Sequence, residues 1–194
     1  MKNNDMLDFE QLMEQRRSIR DFLDRPVPRS LILEIIRDGC WAPSAANNQP
    51  WHFIVVLDKK MMRTLSDEAK KNIVAGIRKQ PNSPVAAYLA QLEQPAFNVF
   101  HNAPALVFIA GNPKIASLAL DVSLAAAYFM FSATSRGLGT CWIGLGREIR
   151  DPELLTAIGL PDGFKIIAPI IVGYPRQIPP APPRNDPKIL KIIE

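Results

Sequence analysis

Cysteine and histidine are scarce in this chain: its 194 residues hold two of each. Cys40 and Cys141 can build neither a disulfide framework nor a four-thiolate metal centre, which makes a reducing compartment the expectation. His52 and His101 stand far apart, and the absence of any HxxxH or CxxC pairing leaves no zinc-type ligand set. Long uncharged apolar runs are missing as well. The greasiest stretch, "LALDVSLAAAYFMFSAT" from Leu118, is interrupted by Asp121 and falls short of the ~20 residues that a membrane span requires. "MKNNDMLDFEQLMEQRR" has no apolar core of the signal-peptide kind, so a cytoplasmic protein is expected. The dinucleotide fingerprint, the Gly-Lys-Ser/Thr ending of a P-loop and a GxSxG elbow around Ser44 are all lacking. A net charge of +4, with basic residues scattered except at Arg16, Arg17 and Arg20, favours one local anion site over a nucleic-acid track.

What is present is an ordinary core-forming composition, 47% hydrophobic and 22% charged, enough for one domain. The spacing predicts amphipathic helices over 7–16 and from Arg29 to Cys40, and a third helix begun by Asp58 as its cap. A long helix from Lys114 to about Arg136, apolar nearly all round, is expected to be buried on most sides, in part by a second subunit. A small helix starts at Asp151-Pro152-Glu153. "HFIVVL", "ALVFIAG", the middle of "GLGTCWIGLG" and "FKIIAPIIVGYP" read as four strands, the first two buried on both faces. Few strands and long apolar helices indicate an α+β sandwich. Residues 79–103, punctuated by Pro81, Pro84 and Pro95, allow only short helices. Between Pro175 and Pro187 lie six of the eighteen prolines, so this segment is extended, yet it ends in Ile189, Leu190, Ile192 and Ile193. Such an arm suits a segment that wraps another subunit.

Three features bear on chemistry. In "RRSIR", Arg16 and Arg17 end a helix and Ser18 and Arg20 follow in extended chain, so guanidinium forks and a hydroxyl can converge on a phosphate; a solvated helix end is the plainer alternative. In "GLGTCWIGLG", four glycines around a strand allow a flat ligand to lie on bare backbone, or serve only a tight turn and a helix cap at Gly137. "WAPSAANNQPW" places small neutral hydrogen-bonding residues between Trp41 and Trp51, which are expected to anchor its two ends in the core. Cys141 and His52 read as packing residues, and Asp121 as a structural acceptor. No nucleophile, metal site or triad assembles. Together these pieces describe a pocket for a flat heterocycle with a phosphorylated tail.

The pieces "RRSIRDF", "PVPRSLILEIIRDGCWAPSAANNQPWHFIVV", "HNAPALVFIAG", "LDVSLAAAYFMFSATSRGLGTCWIG" and "IIAPIIVGYPRQIPPAPPR" come in the order found in the FMN-dependent nitroreductase family, which the chain resembles from Arg16 to Arg184. The resemblance implies a three-layer α-β-α sandwich with a mainly antiparallel central sheet over residues 1–174, and an extended arm over 175–194 packing on the partner subunit. It implies a homodimer with FMN at the interface. Arg16, Arg17, Ser18 and Arg20 would hold the phosphate and ribityl end, with Arg184 as a further phosphate ligand. Pro43, Ser44, Ala45 and Asn47 would approach the flavin of the other subunit, and Ile143, Gly144 and Leu145 would lie along the isoalloxazine. NADH or NADPH would reduce FMN, and a nitroaromatic, quinone or similar acceptor would reoxidise it in ping-pong fashion, with no protein catalytic residue. A flavin-cleaving or dehalogenating enzyme, or a non-catalytic flavin-binding protein, is the alternative. Residues 76–102 would help cover the flavin, with Tyr88, Phe97 and Phe100 either walling the pocket or packing under a loop.

Overall fold

The computed structural model describes residues 8–194. At its centre lies a four-stranded antiparallel sheet in the order β1 (His52–Val56), β2 (Ala105–Gly111), β4 (Lys165–Gly173), β3 (Gly139–Trp142). Every residue of β2 is buried, because its side chains feed two cores in alternation. Leu106 and Phe108 enter one core, while Ala105, Val107 and Ile109 enter the other. In β4 the alternation is broken by one residue: Ile109 pairs with Ala168 and Ala110 with Ile166, leaving Ile167 as a bulge. Strict alternation would put Ile166 and Ala168 on one face. The bulge sends Ile166 to the side of Phe108 and leaves Ala168, Ile170 and Val172 on the other.

Helices cover both faces and complete a three-layer α-β-α sandwich. On one side lies α3 (Lys59–Lys79), which buries Met62, Leu65, Ala69, Ile73 and Ile77 at helical spacing and starts at Asp58, whose carboxylate accepts from Met61 N–H at 2.6 Å. The same side holds α4 (Leu89–Leu92), preceded by a 3-10 turn over Pro84–Tyr88, and α6 (Pro152–Ala157), capped by Asp151. On the other side α2 (Arg29–Gly39) crosses α5 (Leu118–Ser135). The N-terminal α1 (Phe9–Gln15) lies on α5, with Phe9 and Phe131 ring centroids 6.2 Å apart. Leu7, the first residue of the helix expected there, is outside the described residues.

Two expectations are corrected. β1 is not buried on both faces: it is the edge strand, His52 is exposed and only Val56 is fully buried. Its apolar run reports hydrophobicity but not the absence of a neighbour beyond it. The long helix begins at Leu118 rather than Lys114, because Asn112 makes a turn instead of a cap: its carbonyl accepts from Ile115 N–H and its side chain from Lys114 N–H. Within one chain that helix is buried along one side. Val122, Ala125, Ala126 and Phe129 face the core, while Leu120, Leu124 and Tyr128 form an exposed apolar stripe at i, i+4, i+8.

The chain after β4 is tied down only at its start. Phe22 bridges Pro175, Leu23 N–H donates to Tyr174 O at 2.9 Å, and Arg176 pairs with Asp21 at 3.2 Å. From Arg176 onward every residue is exposed, including Ile189, Leu190, Ile192 and Ile193, and none lies in a helix or strand.

Candidate active site

The basic segment after α1 is drawn alongside β3. Ser18 bridges Thr140 in parallel sense, and Ile19 N–H donates to Thr140 O at 2.9 Å. Ile19 turns inward and packs where a Cβ on Gly139 would sit, 2.6 Å from its Cγ1. In such extended chain Ser18 and Arg20 point away from Ile19. Among the described residues Arg16, Arg17 and Arg20 have no carboxylate partner, so three cations are gathered with nothing to neutralise them. Arg17 also donates to the carbonyl of Arg16 at 2.7 Å. Cys141, next along β3, feels this charge. Burial pushes its thiol above the ordinary range, against the opposing pull of Arg20, the Ser18 hydroxyl and Arg16. It is a core thiol with a suppressed thiolate.

Where β3 ends, Ile143 N–H donates to Pro169 O at 2.8 Å and the chain tightens into a 3-10 turn over Gly144–Arg147. The glycines here divide by role. Gly139 and Gly146 are required by packing: a Cβ on Gly146 would lie 2.6 Å from Phe100 Cε1. A Cβ on Gly144 would meet nothing within 4 Å, because Gly144 borders a cavity of about 870 Å³. As the first two residues of the turn, Gly144 and Leu145 have N–H groups with no acceptor inside it. Ile143 and Leu145 line the same cavity, and Arg20 reaches it from the basic segment.

The opposite walls come from α3 and from residues 80–101. Tyr88 and Phe97 line the cavity. Phe100 does not: it is fully buried, edge-on to Phe108 with ring centroids 6.2 Å apart. His101 lines it beside Arg20, held with Asn102 in left-handed backbone at φ 52° and 51°. Burial and the Arg20 cation lower the His101 pKa, so its ring is neutral at pH 7. Ser83, Asn72 and Arg147 also face the cavity. Nothing in the sequence singles out these four residues, since each is brought to the site by contacts between distant segments.

The remaining expected residues lie elsewhere in the chain. Pro43, Ser44, Ala45 and Asn47 contribute nothing to the cavity lining. Their loop rests on the first turn of α5, where Ala45 N–H donates to the buried Asp121 carboxylate at 3.1 Å, and Ser44 Oγ accepts from Gln49 N–H at 3.0 Å. Ala46, Asn47 and Gln49 hold φ of 50°, 55° and 45°, a costly conformation for residues with side chains. Only one tryptophan anchors this loop. Trp51 is 7% exposed, but Trp41 is 81% exposed, in the turn after α2 where its N–H donates to Asp38 O at 3.1 Å. Arg184 lies in the exposed arm, beyond the last tether at Arg176.

Comparison with known proteins places this arrangement in one class. The Nitroreductase family model matches residues 13–174. The chain is 29% identical over 168 residues to a provisionally named NADH dehydrogenase/NAD(P)H nitroreductase of Archaeoglobus fulgidus, covering 84% of this chain and 82% of the other. It is 25% identical over 186 residues to the 5,6-dimethylbenzimidazole synthase of Rhodospirillum rubrum, covering 88% and 83%. Its fold is shared with a Bacteroides fragilis nitroreductase crystallised with bound FMN, at TM-score 0.81 and 23% identity, over 97% of this chain and all of the other. The sandwich is thus a nitroreductase fold. The chain belongs to the nitroreductase family.

Proposed function

We propose that this protein is a homodimeric, cytoplasmic FMN-dependent oxidoreductase that passes hydride from NADH or NADPH to a nitroaromatic, quinone or similar acceptor. The observation that carries the reading is the meeting of Arg20, from a basic segment with no carboxylate partner among the described residues, with the open backbone at Gly144 on one large cavity. Cations and the Ser18 hydroxyl suit a phosphate. A glycine with open space above it, two N–H groups free of their turn and an 870 Å³ cavity suit a flat ring. The residues present therefore fit FMN.

In this reading Arg16, Arg17, Ser18 and Arg20 hold the phosphate end, and Ile143, Gly144 and Leu145 form the floor beneath the ring. FMN, when bound, supplies the hydride chemistry. The chain orients the ring, donates backbone hydrogen bonds to it and keeps one face clear for donor and acceptor in turn. Pro43, Ser44, Ala45, Asn47 and Arg184 lie off the cavity of their own chain, as half-sites offered to a second copy would. The exposed stripe Leu120, Leu124, Tyr128 and the apolar end of the arm give that copy a surface to cover.

The test is spectroscopic. Purified protein should be yellow or should bind added FMN, and NADH or NADPH should bleach it anaerobically. Protein that stays colourless with added FMN overturns the flavin reading, and flavin that resists both nicotinamides overturns the electron-transfer reading.

A further inference from the structure

Resting on the flavin reading, a substrate class can be argued from the part of the cavity that the flavin residues leave. Two groups there stand out. Ser83 occupies the N-cap position of the 3-10 turn over Pro84–Tyr88, where a serine hydroxyl ordinarily bonds back to the backbone. Its backbone does take part in turns, with Ser83 N–H on Gln80 O at 3.0 Å and Ala86 N–H on Ser83 O at 2.9 Å. Its Oγ makes no cap bond. It is buried and has no partner among the described residues, and Ser83 belongs to the cavity lining. A buried hydroxyl left in this state is a site awaiting a hydrogen-bonding group.

The second group is a cation. The lining carries Arg20, Arg147 and Arg150 against a single carboxylate, Glu148. Glu148 is neutralised by Arg150 at 2.8 Å, and Arg20 belongs to the basic cluster already assigned to the flavin. Arg147 is therefore the cation left over. Among the described residues its one hydrogen bond is a long 3.4 Å contact from Nε to Gly144 O, which sets it next to the glycine over which the flavin ring would lie. Tyr88, Phe97 and Ile77 supply flat and apolar walls.

We propose that this cavity selects a planar aromatic acceptor bearing an anionic substituent, such as an aromatic carboxylate. Arg147 attracts the anion, Ser83 Oγ hydrogen-bonds a polar substituent, and Tyr88 and Phe97 flank the ring.

The acceptor step can be isolated by reducing the holoprotein photochemically, without any nicotinamide, and mixing it anaerobically with 4-nitrobenzoate or with its neutral counterpart 4-nitrobenzamide. Oxidation by the carboxylate should be faster on the order of tenfold; Arg147→Gln should erase most of that preference, and Ser83→Ala, which removes a hydrogen bond open to either compound, should slow both. Calorimetry on the oxidised holoprotein provides a second readout: 4-aminobenzoate, which is not reduced, should bind more tightly than 4-aminobenzamide, and Arg147→Gln should equalise them. Equal rates and affinities for the charged and neutral compounds in the unaltered protein overturn the proposal. So does an Arg147→Gln variant that is slow only in reduction by NADH or NADPH, which would assign the cation to the phosphates of the donor. Neither result touches the flavin reading, which fails only if FMN does not bind or is not reduced.

Discussion

Ala45 N–H donates to Asp121 Oδ1 across 3.1 Å, joining the loop between α2 and β1 to the first turn of α5, 76 positions further along the chain. Asp121 is 4% exposed and its second oxygen has no partner, so the carboxylate is buried chiefly for this contact. It also lies at a helix N-terminus, where a negative charge is favoured. Asp121→Ala removes the acceptor and leaves Ala45 N–H unpaired, at a cost of about 1–3 kcal/mol. Urea denaturation should report that loss. Because the loop is one of the proposed half-sites, FMN affinity should fall as well, whereas Asp121→Asn, which retains an oxygen acceptor, should lose less of both.

Two glycines only two residues apart should respond in opposite ways. Gly146→Ala drives a Cβ to 2.6 Å from Phe100 Cε1 and 3.1 Å from Pro169 Cβ, and overpacking of this kind costs about 1–3 kcal/mol. Gly144→Val meets no protein atom within 4 Å at its Cβ, so the melting temperature should hardly move. Its bulk would instead enter the space proposed for the flavin ring. The expected result is a stable protein with weak FMN binding for Gly144→Val, and a destabilised one for Gly146→Ala. Full flavin affinity in Gly144→Val would remove this strand end from the site.

How much of this was legible in the sequence depends on how local each cause is. Asp58 and Asp151 announce their helices because a cap acts on residues two or three positions away. The run Ala105–Gly111 announces a strand buried on both faces because both layers leave their mark in its composition. The same reasoning misplaced β1, whose position at the sheet edge is set by strand order. It also misplaced Trp41, which lies exposed in the turn that follows α2. The cluster around Arg16 was legible as a concentration of charge, but its proximity to Gly144 depends on the Ser18–Thr140 bridge across more than a hundred residues. Ser83 and His101 reach the cavity through the fold of the 80–101 segment, and Arg147 through the packing of the turn after β3 against α3, neither of which carries a local signature.

The basic cluster predicts a pH effect. Burial and the Arg20 cation lower the His101 pKa, so the folded state holds a neutral ring where the unfolded chain, near 6.5, begins to take up a proton. The stability from this group is fully present above about pH 6.5 and is lost as pH falls from there through the lowered folded value. Denaturation midpoints between pH 7 and pH 5 should show the decline. Arg20→Ala removes one of the two causes, so the His101 pKa, followed by NMR, should rise and the decline should become shallower. The same variant and Arg16→Ala should keep their melting temperatures at pH 7, since neither side chain has an ion-pair partner among the described residues. Their FMN affinity should drop by about tenfold or more, the expected loss of a charge-assisted hydrogen bond.

The arm and the exposed face of α5 make the last prediction. Truncation after Arg176 keeps the Phe22–Pro175 bridge and the Arg176–Asp21 pair, so the fold of one chain should survive. It removes Ile178, Ile189, Leu190, Ile192 and Ile193, every one of them more than 60% exposed in the isolated chain. If these residues bury themselves on a second copy, sedimentation of the truncated protein should show weakened association, and loss of Arg184 should weaken FMN binding in parallel. Leu124→Glu places a charge in the middle of the Leu120, Leu124, Tyr128 stripe and should dissociate the proposed dimer with the arm intact. The two variants separate the contributions: a dimer that survives Leu124→Glu but not truncation rests on the arm, and one that survives both shows that neither surface forms the interface.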